Sequence, residues 1–153
     1  MDVSIGQIER LSAPDLVRAS LAVETAGRGM TDITRALADL LRHAGAAEGL
    51  LTLFIRHTSA SLTIQENADP DVQADLLDAL HHLAPEGFGW RHSSEGPDDM
   101  PAHVKAMLSD VSLSVPVAGG RMQLGTWQGI YLIEHRSRSH RRELLTCFIG
   151  KTK

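Results

Sequence analysis

The sequence predicts an α+β fold: a compact single domain over residues 1–153 with a mixed or antiparallel, sandwich-like sheet and two main helices. Two observations lead there. Short apolar runs, alternating or continuous, recur between turn residues along most of the chain, whereas a helical period is sustained in only two stretches. These helices do not alternate with strands as they would in a βαβ array.

The elements follow in order. IGQIERLS and LVRASLAVET suggest two short strands, with Pro14 and Asp15 turning between them. Gly27 and Gly29 break the pattern, and from Met30 apolar residues at Met30, Ile33, Leu37, Leu40 and Leu41 form one helical face that ends at Gly45 and Gly49. GLLTLFIRHT is almost wholly apolar and fits a strand covered on both faces. SLTIQE alternates, with Leu62, Ile64 and Glu66 on one side. A second helix starts where Asp69 caps, Pro70 takes the first turn and Asp71 meets the positive dipole end. Val72, Leu76, Leu80 and Leu83 are its expected buried stripe, with Leu77 at the edge.

Residues 85–101 are rich in Gly, Pro, Ser and Asp, and a loop of that length in a small domain points to function. AHVKAML reads as a short helix. VSLSVPV, a Gly119–Gly120 hairpin, RMQLGTWQGIYLIEH, a turn at SRSH and RRELLTCFIG then read as a closing β-meander.

Composition narrows the function. Aromatics at 4% leave little surface for stacking single-stranded nucleic acid, and a net charge of −4 gives no general pull on phosphate backbones. No nucleic-acid or membrane partner is expected, because no apolar stretch approaches a bilayer span. Cys147, the only cysteine, sits in an apolar run and reads as a buried small hydrophobe. A cytoplasmic setting is the expectation.

Among eight histidines, His43, His81 and His82 fall on or near helix faces and read as solvated. His57 closes an apolar strand in phase with Leu51, Leu53 and Ile55, while His92 and His103 bracket the long polar loop. Imidazoles near carboxylates hold divalent metals or move protons near neutral pH, so His57, His92 and His103 are the candidate metal ligands. Zinc or magnesium is the cofactor considered, and no organic cofactor is expected. Asp98 and Asp99 suit either a metal or the cap of the AHVKAML helix. Gly125 and Gly129 around Thr126, Trp127 and Gln128 let a backbone approach closely, and Gln128 offers both donor and acceptor. With no phosphate-cradling glycine loop, phosphate binding would fall to arginines such as Arg142 or to backbone amides.

HTSASLTIQENADPDV, WRH at 90–92, PDDMPAHVKAML, GGRMQLGTWQGIYLIEHR and the final RRELL…IG together resemble, in order over roughly residues 15–150, the YjbQ-like family of secondary thiamine-phosphate synthases. The resemblance implies an α+β homotrimer with a polar pocket and a phosphorylated small-molecule substrate. It implies catalytic roles for His57, Glu66 and His103, with Asn67, Asp99, Gln128 and Glu134 as substrate-binding companions; Arg142 joins the substrate-binding set as the candidate phosphate ligand. The implied reaction, a transferase step, joins hydroxymethylpyrimidine diphosphate to thiazole phosphate and releases pyrophosphate. Ser109 and Asp110 stand where relatives often carry glycine, a departure that bears on the local turn. A non-catalytic trimeric module binding a small molecule or metal, and a purely structural oligomer, are the alternatives.

Overall fold

The computed structural model describes residues 15–153; the strand expected at IGQIERLS lies outside them. Among the described residues, two antiparallel sheets and three α-helices make up the fold. The larger sheet has the order β1-β8-β3-β5-β6. Here β1 is Asp15–Thr25, β3 Ala46–Ile55, β5 Ser112–Ala118, β6 Arg121–Met122 and β8 His140–Thr152. β8 is an interior strand, pairing Asp15 to Gly150 through Thr25 to His140 on one side and β3 on the other. The smaller sheet sets β7 (Gln128–Glu134) between β2 (Gly29–Asp32) and β4 (Ala60–Glu66).

The core lies between the sheets. Leu51, Leu53 and Ile55 of β3, Leu144 and Phe148 of β8, and Val115 and Val117 of β5 meet Leu62, Ile130 and Leu132 of the smaller sheet. Helix α1 (Thr34–His43) adds Leu37 and Leu41, four residues apart on one face and both fully buried. Helices α2 (Pro70–Leu83) and α3 (Asp99–Leu108) pack together, α3 against β4.

Several expectations are corrected. Of the two sheet types expected, mixed or antiparallel, the second is found, since every strand pair among the described residues is antiparallel; the other points differ. The C-terminal strands form no meander: after the β5–β6 hairpin, whose Gly119 and Gly120 have φ of 58° and 77°, β7 and β8 enter different sheets. Met30 belongs to β2, not to α1, because residues 29–32 pair with β7 before the helix begins. Among the described residues only one face of β3 is covered: Leu50 and Phe54 remain 42% and 46% exposed on the outer face, together with Leu145 and Ile149 of β8. Cys147 lies half-buried on that face rather than in the core. The stripe of α2 is only half-buried, and Leu83 is exposed. Its start is as expected, with Asp69 accepting from the Asp71 amide at 2.9 Å and Pro70 at the first position.

Candidate metal centre and its surroundings

Asp99 and His103 are one helical turn apart on α3 and share a face, and the preceding loop brings His92 back to meet them. Asp99 is 2% exposed. Its Oδ2 lies 2.7 Å from His92 Nε2 and 3.3 Å from His103 Nε2, and its Oδ1 accepts from Arg136. One ligand atom from each of His92, Asp99 and His103 lies within 4.8 Å of the others.

The loop holds its shape through Arg136 and Asp98. Arg136 donates to the Glu95 carbonyl at 2.8 Å and to Asp98 Oδ2 at 3.2 Å, while the Ser137 amide and hydroxyl donate to Asp98 at 2.8 and 2.9 Å. Burial alone would raise the Asp98 carboxyl pKa, but these hydrogen bonds outweigh it and hold the group well below the usual range. Asp98 makes no side-chain cap of α3; it ties the loop to the end of β7.

Hydrogen-bond direction decides what the centre can do. His103 Nδ1 lies 3.0 Å from the Thr58 carbonyl oxygen, which can only accept, so Nδ1 carries the hydrogen. Neutral His103 therefore turns the Nε2 lone pair toward Asp99 Oδ2, and two acceptors face each other at 3.3 Å. A proton on Nε2 or a shared cation relieves that conflict. A backbone carbonyl fixing the tautomer of one imidazole, with an arginine orienting the carboxylate, is the outer-shell arrangement of a metal site.

The family profile described as UPF0047 protein, YjbQ-like, matches residues 19–151. The chain belongs to the UPF0047 family. It is 47% identical to a UPF0047 protein of Synechocystis across 86% of this chain and 90% of that one. It is 45% identical to the UPF0047 protein YjbQ of Salmonella typhimurium across 81% and 91%. Among solved structures, a conserved hypothetical protein of Thermus thermophilus superposes with a TM-score of 0.76 at 38% identity, covering 84% of this chain and 97% of that one. A Sulfolobus solfataricus structure gives 0.84 at 22% identity over 91% and 100%, a likeness of fold.

In this UPF0047 chain the remaining expected site residues form three further groups. Glu134, 1% exposed, grips Arg142 through Nε at 2.6 Å and Nη2 at 2.5 Å, and also accepts from Thr25 Oγ1 and the Arg136 amide. Burial opposes its ionisation, yet Arg142 and these donors hold its pKa down. Arg142 spends a further donor on Ser59 Oγ at 3.1 Å. Both residues are thereby engaged with each other, and Arg142 is not free to hold phosphate.

Glu66, Asn67 and Gln128 meet at the opposite end of the smaller sheet. Glu66 pairs with Gln128 and Ala60 with Glu134, so six strand residues, about 20 Å, separate the two ends. Asn67 Nδ2 donates to the Gln128 carbonyl at 3.4 Å, and Gln128 Oε1 accepts from the Gly125 amide, closing its own turn. A side chain at Gly129 would meet Tyr131 at 3.0 Å and Asn67 at 3.2 Å, which explains that glycine. Trp127 is 65% exposed.

His57 stands apart from His92 and His103. Strand geometry ends at Ile55, and the ring swings out of phase with Leu51 and Leu53 to the outer face, beside Ser20, Ala22, Arg141 and Glu143. Its Nε2 accepts from the Glu143 amide at 2.9 Å, which occupies the lone pair a metal would need. Desolvation, then the Arg142 charge, lowers its pKa.

Sequence reading missed Arg136, His135 and Lys105. His135 is buried with Nε2 2.8 Å from Ser61 Oγ. Ser61 in turn contacts Ser109, whose hydroxyl donates to the Lys105 carbonyl. Ser61 therefore donates to Ser109 and accepts from His135 Nε2–H. Desolvation, aided by the charge of Lys105, drops the His135 pKa to about 4, so the ring is neutral near pH 7. Ser109 also leaves α3 in extended conformation, which explains how the turn forms without glycine. A readable signal for Lys105 existed: it shares a face of α3 with the buried Pro101 and Ala102.

Proposed function

We propose that the chain is a small metabolic enzyme that binds a divalent cation at His92, Asp99 and His103 and acts on a phosphorylated small molecule. The Nδ1–H of His103, committed to the Thr58 carbonyl, carries this reading, since it leaves Nε2 as a lone pair aimed at a buried carboxylate. Two imidazoles and one carboxylate suit zinc or a similar transition ion better than magnesium, which favours all-oxygen shells. A bound cation would supply Lewis acidity for the negative charge that gathers on a phosphoryl group or leaving pyrophosphate. The protein's own part is orientation: Arg136 fixes the Asp99 carboxylate, and Thr58 fixes the His103 ring.

On the family resemblance, the reaction is thiamine-phosphate formation, a transferase step, at least as a secondary activity. A cytoplasmic homotrimer completes the proposal. The exposed outer face carrying Leu50, Phe54, Leu145 and Ile149 supports assembly, because a second copy would remove this apolar patch from water. His57 stands beside that face, so assembly through it would draw His57 toward a subunit contact.

The test is incubation of purified protein with both phosphorylated substrates and Zn²⁺, Mn²⁺ or Mg²⁺, with thiamine phosphate measured by fluorescence after oxidation. Product that disappears in Asp99→Asn supports the assignment. Product unchanged in that variant contradicts it. A second reading, a binding module without turnover, is favoured by the separation of His57 and Glu66 from the centre. It expects metal and ligand binding with no product under any of these conditions.

A further inference from the structure

With Arg142 committed to Glu134, a different cation faces open space. Lys105 of α3 is 4% exposed and lines a cavity of about 300 Å³ with Arg28, Leu77, Asp78, Leu80, His81, Glu134 and His135. Among the described residues its ammonium has no carboxylate within ion-pair distance and no hydrogen-bond acceptor. Since no fully enclosed side-chain nitrogen or oxygen among them lacks a partner, the ammonium opens to the cavity. An unpaired buried ammonium is costly, and an anion brought to it recovers that cost.

The surrounding charges select the ligand. Arg28, partly exposed and paired with Glu86, is a second cation of the lining. Glu134 is neutralised by Arg142, leaving Asp78 on exposed α2 as the one unpaired carboxylate of the lining. His135 presents no positive charge near pH 7. The apolar share of the wall, Leu77 and Leu80, suits the organic part of a small ester.

We propose that this cavity is an oxyanion site for a phosphate monoester, with Lys105 as its principal anchor and Arg28 as a second donor. It extends the reading of the preceding section by giving the phosphorylated substrate a place to be held. It does not depend on a cation at His92, Asp99 and His103, which lie beyond this lining. The helix suits Lys105 to the role: its near neighbours on the same face, Pro101 and Ala102, are short and buried, so the long stem can be covered while the ammonium reaches the cavity.

The experiment is titration of chelator-treated, metal-free protein with inorganic phosphate and with methyl phosphate, followed by amide NMR and calorimetry. Saturable binding with a Kd of about 1 mM or tighter is expected, with shifts concentrated at Leu80, Lys105 and His135. Lys105→Met is expected to weaken it at least about tenfold, and Arg28→Ala more modestly. Lys105→Met is also expected to unfold at no lower denaturant than wild type, because an unpaired buried charge has been removed. Asp99→Asn is expected to retain phosphate binding, which separates this site from the metal centre. Absence of saturation, shifts located elsewhere, or equal affinity in a folded Lys105→Met would overturn the proposal. If Lys105→Met does not fold, the location of the wild-type shifts and the Arg28→Ala affinity decide it.

Discussion

Arg142→Met strands a carboxylate in the core. Glu134 is 1% exposed, and Arg142 supplies two of its four donors and the only arginine charge within hydrogen-bonding reach of its side chain. Removing one partner of a buried pair costs about 3–5 kcal/mol, against a total domain stability of about 5–15 kcal/mol. Replacing both partners is far cheaper, because no charge remains to be solvated. The double variant Glu134→Gln with Arg142→Met should therefore recover more than half of the single-variant loss. Urea unfolding at neutral pH measures both, with the slope checked for constancy. In the wild type Glu134 has a lowered pKa, so its contribution is present above the unfolded carboxylate pKa and fades as pH falls through the folded value. In Arg142→Met the carboxylate is freed from its charge at low pH, so the deficit should shrink there. A single-variant loss below about 1 kcal/mol, or a double variant that costs the sum of the singles, would refute this account of the pair.

Two further outcomes follow from named contacts. His135 folds with a pKa of about 4 against 6.5 unfolded, so its contribution is complete above pH 6.5 and is lost as pH falls toward 4. At 1.36 kcal/mol per pH unit that loss amounts to about 3 kcal/mol. His135→Gln should flatten the urea midpoint over this interval, and an unchanged slope would sink the assignment. Gly150→Ala would place a methyl 2.1 Å from the Glu48 carbonyl oxygen and 2.7 Å from Gly49 Cα, where β3 and β8 press together. It is expected to cost more than about 3 kcal/mol, while Gly87→Ala, with open space around it, stays within about 0.5 kcal/mol. Thermal melts that rank the two equally would contradict this.

The α+β class was legible because period and turn chemistry agree with the final packing at most elements, as in α2, where Asp69, Pro70 and Asp71 act locally. What failed depended on distant partners. Residues 29–32 became a strand because β7 was there to pair with them, and nothing within GMTD announces that. The uniform greasiness of β3 pointed to two covered faces, yet among the described residues one face, with Leu51, Leu53 and Ile55, is covered while Leu50 and Phe54 stay exposed. Strand phase also misled at His57, since alternation stops where the strand does. At the centre, histidines and aspartates were readable as chemistry, but their selection was not. Helical spacing joins Asp99 to His103, whereas Arg136 arrives from 37 residues away and His92 by the course of a loop. Glu134 and Arg142 were legible as polar residues in apolar strands, but not as partners for each other.

The central claim is the cation site, and isothermal titration of chelator-treated protein with Zn²⁺ tests it most directly. Wild type and His57→Gln are expected to bind one equivalent per chain, with Asp99→Asn and His103→Gln losing that binding while remaining folded. Absence of saturable binding in the wild type, or undiminished binding in Asp99→Asn, would contradict the claim.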